Sequence, residues 1–377
     1  MARRRLPRQL FEFVDGGSLG EETLRSNRGD FERVRMRQRV MRDVEDIALG
    51  TTVLGEEWPM PLGLSPVGLS GLMRRRGEVQ ALRAAQAAGV QACLSTAALC
   101  SIEEVKAAAP RPFWFQLYVM RDRGFGEELM ARAKAAGCSA LVLTVDLAVG
   151  GLRHRDVQTG MTGGLGIAGR LAVGADYARR VGWLWDVALR GRPHLFGNLS
   201  SAIPDAKKLS DFYEFTTRNW DASVNWRDID WIRRHWDGPL IIKGILDPED
   251  AADAVSAGAQ GVIVSNHGGR QLDGASSTIS ALPRVVDAVA GRAEVLLDGG
   301  VRNGLDIARA LALGARACMI GRPWAYALAA RGEAGVAALL ATFKRELRIT
   351  LALSGHDSVH ALGSGSLVEV PSWKDRA

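Results

Sequence analysis

The sequence predicts an α/β fold of the (β/α)8 TIM-barrel class, and three observations favour this class. Short apolar, β-branched runs alternate along the chain with alanine-rich amphipathic stretches. Eight runs of this kind occur, and most are continuously apolar, as parallel strands buried on both faces usually are. A C-terminal helical pattern at Val336–Ser354 follows the last of them. An open, doubly wound sheet is the alternative, but eight strand–helix units fit a closed barrel better.

The helical stretches have recognisable ends. GEVQALRAAQAAG, EELMARAKAAG, DPEDAADAVSAG and NGLDIARALALG each finish in a glycine that suits a left-handed cap. Asp247-Pro248 and Asn303 are typical helix starts, because their side-chain oxygens can accept from N–H groups of the first turn. The predicted strands alternate with such stretches and lie at 61–68, 90–96, 112–119, 140–146, 239–244, 261–268, 294–300 and 317–323.

One interval, residues 147–225 after the fourth strand, contains no buried strand signal. It is rich in Gly, Arg and aromatic residues, including Trp183, Trp185, Phe212, Tyr213 and Trp220. Its GLGIAG run, 164–169, matches GxGxxG, but no strand precedes it, so we expect a flexible loop there. Connections this long are usually functional or disordered. We therefore expect residues 1–377 to form one domain with a lid or membrane-contact insertion at 147–225, a connection without a role being the alternative.

Composition narrows the class of protein. The 377 residues are 47% hydrophobic and 24% charged, which are globular values. The net charge of +6 is spread along the chain, so we expect no nucleic-acid partner; a basic solvated surface or contact with an anionic membrane remains. The four cysteines show no CxxC spacing, which argues against a zinc site and for a reducing compartment. No signal peptide and no membrane-spanning run is apparent, so a cytoplasmic location is expected.

Polar residues gather at the carboxyl ends of the predicted strands, which meet at one rim of a barrel. Burying so many polar groups there without a ligand would be costly, so we expect a ligand site. DGGVRNG (298–304) and IGRP (320–323) suit an anion, because glycines and helix N-termini expose N–H groups beside an arginine. In SNHGGRQLDG, His267 has Arg270 three residues on, and Asp146 lies two strands back, which favours a base with a carboxylate clamp. The rim residues are Ser95, Gln116, Tyr118, Thr144, Asp146, Lys243, Ser265, Asn266, His267, Arg270, Asp298, Arg302, Gly321 and Arg322.

These motifs together resemble the FMN-dependent L-2-hydroxyacid dehydrogenases and oxidases. The resemblance covers nearly the whole chain and includes LPRQLFEFVDGG, SPVGLSG, FQLYVMRDRGF, VSNHGGRQLDG, LDGGVRNGLD and MIGRP. RGEVQA, KAAGCS, GRPHLFGN and IIKGILDPEDA are most similar to bacterial quinone-linked L-lactate dehydrogenases. The VDLAVGG turn and the DASVNW stretch are similar to those of mandelate dehydrogenases, which the chain resembles almost as well.

The resemblance implies FMN as the cofactor and assigns most of the rim to it. Lys243 would stabilise the negative charge that reduction places on the flavin. Gly68 stands where dehydrogenases often have Gly and oxidases Ala, a hint against O2 as acceptor. Implied flavin contacts are Pro66, Val67, Gly68, Ser95, Gln116, Thr144, Ser265, Asp298, Gly299 and Gly300, and implied phosphate ligands are Arg302, Gly321 and Arg322.

The resemblance also implies the substrate residues. His267 would take a proton with Asp146 stabilising the imidazolium, Arg153 and Arg270 would bind the substrate carboxylate, and Tyr118 would bond the 2-hydroxyl. Phe13 departs from the pattern, because the family usually has a Tyr there whose phenol binds the carboxylate. Its absence removes a hydrogen bond to a charged group, about 1.5–3 kcal/mol unless water or a larger substrate compensates.

The implied activity is oxidation of an L-2-hydroxyacid, (S)-lactate to pyruvate, with electrons passed to a respiratory quinone. Oxidation of bulkier, mandelate-like acids is the alternative, and a flavin-binding barrel with a sensing or scaffolding role is a third. The resemblance further implies a homotetramer, attached peripherally to the cytoplasmic face of the inner membrane through the 147–225 segment, whose Trp and Arg content suits an interface.

Overall fold

Eight parallel strands form a closed barrel in the computed structural model, which describes residues 1–203, 205–206, 211, 215, 218–370 and 373. The hydrogen-bonded order is β1-β8-β7-β6-β5-β4-β3-β2, and a parallel bridge between Leu64 and Ala92 joins the first and last strands of that order. The predicted TIM barrel is therefore confirmed, and every strand overlaps its predicted range. The strands are Leu62–Leu64 (β1), Cys93–Ser95 (β2), Trp114–Leu117 (β3), Ala140–Thr144 (β4), Leu240–Ile245 (β5), Gly261–Val264 (β6), Glu294–Leu297 (β7) and Ala317–Ile320 (β8).

The strands are apolar throughout because both of their faces are buried. One face packs inside the barrel, through residues such as Trp114, Ile241 and Met319, and the other packs against the surrounding helices. A short hairpin, Thr51–Val53 with Glu56–Trp58, joins the inner cluster through Val53 and Trp58. The rings of Trp58 and Trp114 lie 5.5 Å apart between centroids. The hairpin thus covers the amino-terminal end of the barrel and leaves the carboxyl ends of the strands as its open rim.

The helices between the strands begin and end largely as predicted. Asp247 and Asn303 each accept a hydrogen bond from a first-turn backbone N–H at 2.8 Å. The four predicted cap glycines, Gly89, Gly137, Gly258 and Gly314, have φ between +73° and +100°. The barrel helices are Gly77–Ala88, Ile102–Ala108, Arg123–Ala135, Asp228–His235, Pro248–Ser256, Thr278–Val289 and Gly304–Ala312, preceded by Ala2–Arg5, Arg8–Asp15 and Glu22–Arg33.

The C-terminal helix is longer than the predicted Val336–Ser354. It runs from Arg322 to Ser354, and Gly332 interrupts it with non-helical backbone at φ +62° and ψ −145°. The predicted range matches only the part after this break, because the sequence pattern of the first part merges with the end of β8. Gly321 precedes the helix, so the N-terminus of the helix lies at the rim of the barrel.

The connection between β4 and β5 contains several short helices joined by turns and irregular segments. It contains His154–Gln158, Ile167–Ala178 and Val181–Trp183, the last continuing into a π-helical turn at Leu184–Leu189. The loop expected at 164–169 is correct only for its first residues, because the Ile167 helix begins inside it. Trp183 donates to the carbonyl of Leu72 at 2.7 Å, which fastens the connection to the barrel. Phe212 and Tyr213 lie outside the described residues.

Candidate active site

A cleft of about 330 Å³ lies at the carboxyl ends of the strands, where the sequence predicts a ligand site. Most of the predicted site residues line it, although they come from strands and loops far apart in the chain. Four do not line it directly. Asp146, Gln116 and Ser265 lie immediately behind lining residues, and Asn266 hydrogen-bonds Asn27 instead. The predicted residues that line it are Phe13, Pro66, Val67, Gly68, Ser95, Tyr118, Thr144, Arg153, Lys243, His267, Arg270, Asp298, Gly299, Gly300, Arg302, Gly321 and Arg322.

His267 and Asp146 form a hydrogen-bonded pair at the edge of the cleft. Nδ1 of His267 lies 2.9 Å from Oδ1 of Asp146. Burial by itself would raise the pKa of Asp146, but the charge and hydrogen bond of His267, with help from Lys243, hold it below its ordinary value. An ionised carboxylate can only accept, so Nδ1 carries the proton and Nε2 is left as an acceptor. The pair can therefore take a proton from a ligand at Nε2 and stabilise the resulting cation.

The turn after β6 holds His267 in an uncommon conformation. Its φ is +57°, a left-handed value that costs about 1–3 kcal/mol for a residue with a side chain. The N–H of His267 donates to Oγ of Ser265, and the N–H of Gly269 donates to Oδ1 of Asn266, both at 3.1 Å. These bonds fix the turn, so the imidazole is positioned before a ligand arrives.

Arg153 and Arg270 place two positive charges beside Phe13. The guanidinium carbons lie 5.6 Å and 5.0 Å from the centroid of the Phe13 ring. Arg153 pairs with buried Asp156 at 3.2 Å, whereas Arg270 donates only to the carbonyls of Phe13 and Gly16 within the described residues. Burial and the neighbouring arginines lower the pKa of Arg270 well below its ordinary value. An anion such as a carboxylate would relieve this repulsion.

The ring of Tyr118 packs against the ring of Trp220 in the cleft. Its ring lies 4.8 Å from that of Trp220, between centroids. Burial and the charge of Asp146 raise its pKa, so the phenol keeps its proton at neutral pH. The hydroxyl is thus available as a hydrogen-bond donor in the cleft.

Lys243 and Asp298 form a buried ion pair at the base of the cleft. Nζ of Lys243 lies 3.0 Å from Oδ2 of Asp298 and donates to Oγ of Ser265 at 2.7 Å. Burial would lower the pKa of Lys243, but Asp298 and Asp146 raise it above its ordinary value, so the ammonium stays charged. A fixed cation here can stabilise negative charge on a ligand without reorganisation.

A second cationic corner lies where the loops after β7 and β8 meet. Arg322 donates to the carbonyls of Val14, Gly16 and Gly268 at 2.8–2.9 Å, and Arg302 donates to the carbonyl of Val301. Burial, with Arg322 and Arg28 nearby, lowers the pKa of Arg302 to about 10. Arg302 and Arg322 make no ion pair in the part of the chain that the structure describes. Two unpaired guanidinium groups beside the N-terminus of a helix form an anion site.

The opposite side of the cleft offers buried polar atoms that have no partner. Nε2 of Gln116 and Oγ1 of Thr144 make no hydrogen bond to any described residue. Oγ of Ser95 donates to Oε1 of Gln116 at 3.2 Å, which orients the amide. Buried polar atoms are nearly always satisfied, so these atoms indicate a ligand with polar edges. The cationic corner, the Lys243 ammonium and the polar atoms of Gln116 and Thr144 together fit a flavin that carries a phosphate.

Sequence reasoning missed several residues of the cleft. Asp156, Trp220 and Gln271 line it, and the sequence assigns none of them to the ligand site. Gln271 donates to the carbonyl of Asp146 at 3.0 Å, and its place directly after Arg270 was the available signal. Trp220 gave no such signal, because only the folded connection brings it to Tyr118.

Comparison with known proteins agrees with this geometry. A family model described as FMN-dependent dehydrogenase matches residues 2–369. An L-lactate dehydrogenase of Caulobacter vibrioides is 52% identical over 368 residues, covering 98% of this chain and 95% of the relative. An L-lactate dehydrogenase of Chromohalobacter salexigens is 51% identical over 367 residues, covering 97% and 93%.

Two solved structures of mandelate enzymes also resemble this chain over nearly its whole length. A monotopic membrane protein, (S)-mandelate dehydrogenase, superimposes with a TM-score of 0.92 at 36% identity, covering 98% of this chain and 97% of that one. A mandelate oxidase superimposes with a TM-score of 0.80 at 38% identity, covering 96% and 94%. Within the described part of the chain, none of the helices combines the length and the apolar composition that a membrane-spanning segment needs.

Proposed function

The chain belongs to the FMN-dependent dehydrogenase family and is a 2-hydroxyacid dehydrogenase, and we propose that it oxidises (S)-lactate to pyruvate and passes the electrons to a respiratory quinone. The observation that carries the proposal is the juxtaposition of the His267–Asp146 pair with the two arginines beside Phe13 in one cleft. A substrate that fits this arrangement carries a carboxylate next to an oxidisable alcohol.

The cleft supplies the groups that FMN requires. Arg302, Arg322 and the N–H of Gly321 would hold the phosphate, while Gln116, Thr144 and Ser95 would bond the polar edge of the ring. FMN, when bound, would accept the hydrogen on C2 together with the two electrons that the substrate loses. Lys243, held by Asp298, would stabilise the charge that this transfer creates.

The protein residues divide the remaining work. Arg270 and Arg153 bind and orient the carboxylate, and the Tyr118 hydroxyl donates to the oxygen on C2. Nε2 of His267 takes the hydroxyl proton as C2 is oxidised, and Asp146 stabilises the imidazolium by 2.9 Å contact with Nδ1. Because Asp146 favours the proton on Nδ1, the imidazole presents its basic nitrogen to the substrate before the reaction starts.

Anaerobic mixing tests this proposal. The flavin-loaded protein is mixed with L-lactate, D-lactate, (S)-mandelate and (R)-mandelate, and loss of visible flavin absorbance is followed. We expect fast bleaching with L-lactate and none with the D enantiomer. Absence of bleaching with every L-2-hydroxyacid would refute the proposal.

Mandelate-like acids are the second candidate substrate. Phe13 offers no phenol to the carboxylate, and the cleft wall beside Tyr118 is formed by the Trp220 ring, which can pack on an aromatic substrate. The two solved structures described above are of mandelate enzymes. A higher kcat/KM for (S)-mandelate than for L-lactate would favour this candidate over the first.

Peripheral attachment to the cytoplasmic face of the membrane is supported by the connection between β4 and β5. The helix Ile167–Ala178 buries none of its residues, and Ile167 and Leu171 are 80% and 70% exposed. Trp185 is 58% exposed nearby in the chain, and exposed arginines such as Arg170 and Arg190 accompany these apolar groups. Apolar and basic residues in this combination suit the interface of an anionic bilayer.

Two experiments test the attachment and the acceptor. Sedimentation with anionic vesicles should recover the protein in the pellet, and recovery of all protein in the supernatant at low salt would contradict attachment. L-lactate-dependent reduction of a soluble quinone should exceed oxygen consumption, and the reverse would assign an oxidase.

Light scattering on a size-exclusion column tests the homotetramer, and a monomer mass would contradict it.

A further inference from the structure

Strand β5 contains an irregularity next to the proposed proton-transfer pair. Lys243 pairs with Ile263 and Ile245 with Val264, so the register shifts and Gly244 is an extra residue in β5. Ile241 belongs to the cluster inside the barrel and Ile242 to the outer core, yet Ile245 also belongs to the outer core. Gly244 is thus a β-bulge, a feature often found beside active sites where it redirects neighbouring groups.

The space that Gly244 leaves open is occupied by Asp146. A Cβ at Gly244 would lie 2.6 Å from Cβ of Asp146, 2.7 Å from its Cγ and 2.9 Å from its backbone nitrogen. Carbon atoms at optimal contact are about 3.5–4.0 Å apart, so Asp146 would have to move by roughly 1 Å. The atoms involved are the root of the side chain and the backbone, and neither can turn away freely.

Asp146 has little freedom in its present position. The N–H of Val145 donates to the carbonyl of Lys243 at 2.9 Å, which holds the chain of β4 against β5. The Asp146 side chain is 10% exposed, and Oδ2 finds no hydrogen-bond partner among the described residues. Oδ1 accepts a hydrogen bond from Nδ1 of His267 at 2.9 Å, which is the hydrogen bond that joins this side chain to another described residue, and a shift of about 1 Å is enough to take the contact beyond hydrogen-bond range.

We propose that Gly244 is a positioning residue for the reaction: the bulge in β5 gives Asp146 the room it needs to orient His267. This inference rests on the proposed roles of Asp146 and His267. Gly244 touches neither substrate nor cofactor in this account and acts only through Asp146.

Gly244→Ala tests the proposal, with Gly258→Ala as the matched control. Gly258 also has left-handed backbone, φ +92° against +110°, but a Cβ there would meet no described atom within 4 Å. The control therefore measures backbone strain without the contact. In the flavin-loaded protein we expect Gly244→Ala to lower the limiting rate of flavin bleaching about 10–100-fold, because misplacing a catalytic group by 1 Å has this order of effect. The KM of the variant should stay within about twofold of the wild-type value. Gly258→Ala should retain the wild-type rate, and a wild-type rate in Gly244→Ala would overturn the proposal.

A double variant separates action through Asp146 from a general effect. Added to Asp146→Asn, Gly244→Ala should lower the rate by less than about twofold more, because coupled residues are not additive. A full additional loss would overturn the proposal. If Gly244→Ala alone does not fold, Asp146→Gly/Gly244→Ala decides, because it removes the two colliding carbon atoms: recovery of folding supports the contact, and failure to recover overturns it.

Histidine NMR gives a readout that does not depend on activity. The hydrogen-bonded Nδ1 proton of His267 should give a downfield signal that disappears in Gly244→Ala and persists in Gly258→Ala. Persistence in both variants would overturn the proposal. If the wild type bleaches with no L-2-hydroxyacid, the proposed function fails, while the NMR signal still reports whether Gly244 positions Asp146.

Discussion

The rim of the barrel and the connection between β4 and β5 depart from ordinary side-chain distribution in opposite ways. The rim buries charged groups, such as Lys243 at 4% side-chain exposure, and crowds like charges together. The connection instead exposes large apolar side chains, including Ile167 at 80%. Either departure is unfavourable for an isolated chain in water. Each departure therefore suits a binding partner: an anionic ligand at the rim and, in our proposal, the membrane surface at the connection.

Among the proposed substrate-binding and phosphate-binding side chains of the rim, removal of Arg270 should have the largest effect. In the proposed function Arg270 makes two or more charge-assisted hydrogen bonds to the substrate carboxylate. Arg270→Met would eliminate them, so we expect kcat/KM for L-lactate to fall about 10³-fold. Arg132→Met is the matched control, because Arg132 pairs with Glu103 at 2.8 Å on the outside of the barrel. A fall below tenfold in a variant with normal flavin content would remove Arg270 from the substrate site.

The phosphate corner can be tested apart from catalysis. Arg302→Met should weaken FMN binding about 10–100-fold while leaving riboflavin binding within about twofold, since only FMN carries the phosphate. Arg292→Met, at the opposite end of the barrel near the Glu294 start of β7, should change neither affinity. Equal losses for FMN and riboflavin would show that Arg302 does not hold the phosphate.

The membrane contact proposed for the exposed helix Ile167–Ala178 can be tested by substitution. Ile167→Ser/Leu171→Ser removes two apolar side chains four residues apart on one face, and we expect about 30-fold weaker binding to anionic vesicles, roughly 2 kcal/mol. Ile349→Ser/Leu353→Ser has the same spacing on the C-terminal helix, with exposures of 46% and 62%, and should bind as the wild type does. Equal binding by both double variants would place the membrane contact elsewhere.

Phe13 lies at the rim, and its substitution tests which part of the substrate this side chain faces. Phe13→Tyr adds a phenol beside Arg153 and Arg270, so KM for L-lactate should fall about tenfold, the low end of a hydrogen bond to a charged group. A tyrosine at this position that leaves KM unchanged would mean that Phe13 does not face the carboxylate. A rise in KM for mandelate alone would indicate that the ring contacts the substrate side chain.

The smallest expected effect is a pH dependence of stability. The pKa of Asp146 is below its ordinary value in the folded chain, so its ionised form stabilises the fold above about pH 4 and this contribution is lost as pH falls through the lowered pKa. The difference in unfolding temperature between the wild type and Asp146→Asn should therefore shrink below pH 4. A difference that grows on acidification would contradict the assigned direction.

The parts of the fold that could be predicted depend on local patterns. The eight strands follow from continuous apolar runs, and the caps at Asp247 and Asn303 follow from single side chains at helix starts. The hairpin Thr51–Trp58 was not predicted, since each of its strands has three residues and only barrel closure gives them a role. The part of the C-terminal helix before the break at Gly332 was likewise not predicted, because it directly follows β8.

The site divides in the same way. His267 and Arg270 follow the end of β6, and Lys243 lies near the end of β5. A barrel must bring these strand ends together, so the proximity of the three residues could be predicted. Trp220 and Asp156 reach the cleft through the folded path of a long connection, and no spacing in the sequence encodes that path. The bulge at Gly244 depends on register between strands, which is decided only when β5 pairs with β6.

Anaerobic stopped-flow mixing of L-lactate with flavin-loaded wild type and His267→Ala tests whether His267 is the general base. We expect rapid loss of flavin absorbance in the wild type and a rate about 10²–10⁴-fold lower in His267→Ala, the range for loss of a general base. Equal rates in the two proteins, with equal flavin content, would contradict the claim that this imidazole takes the substrate proton.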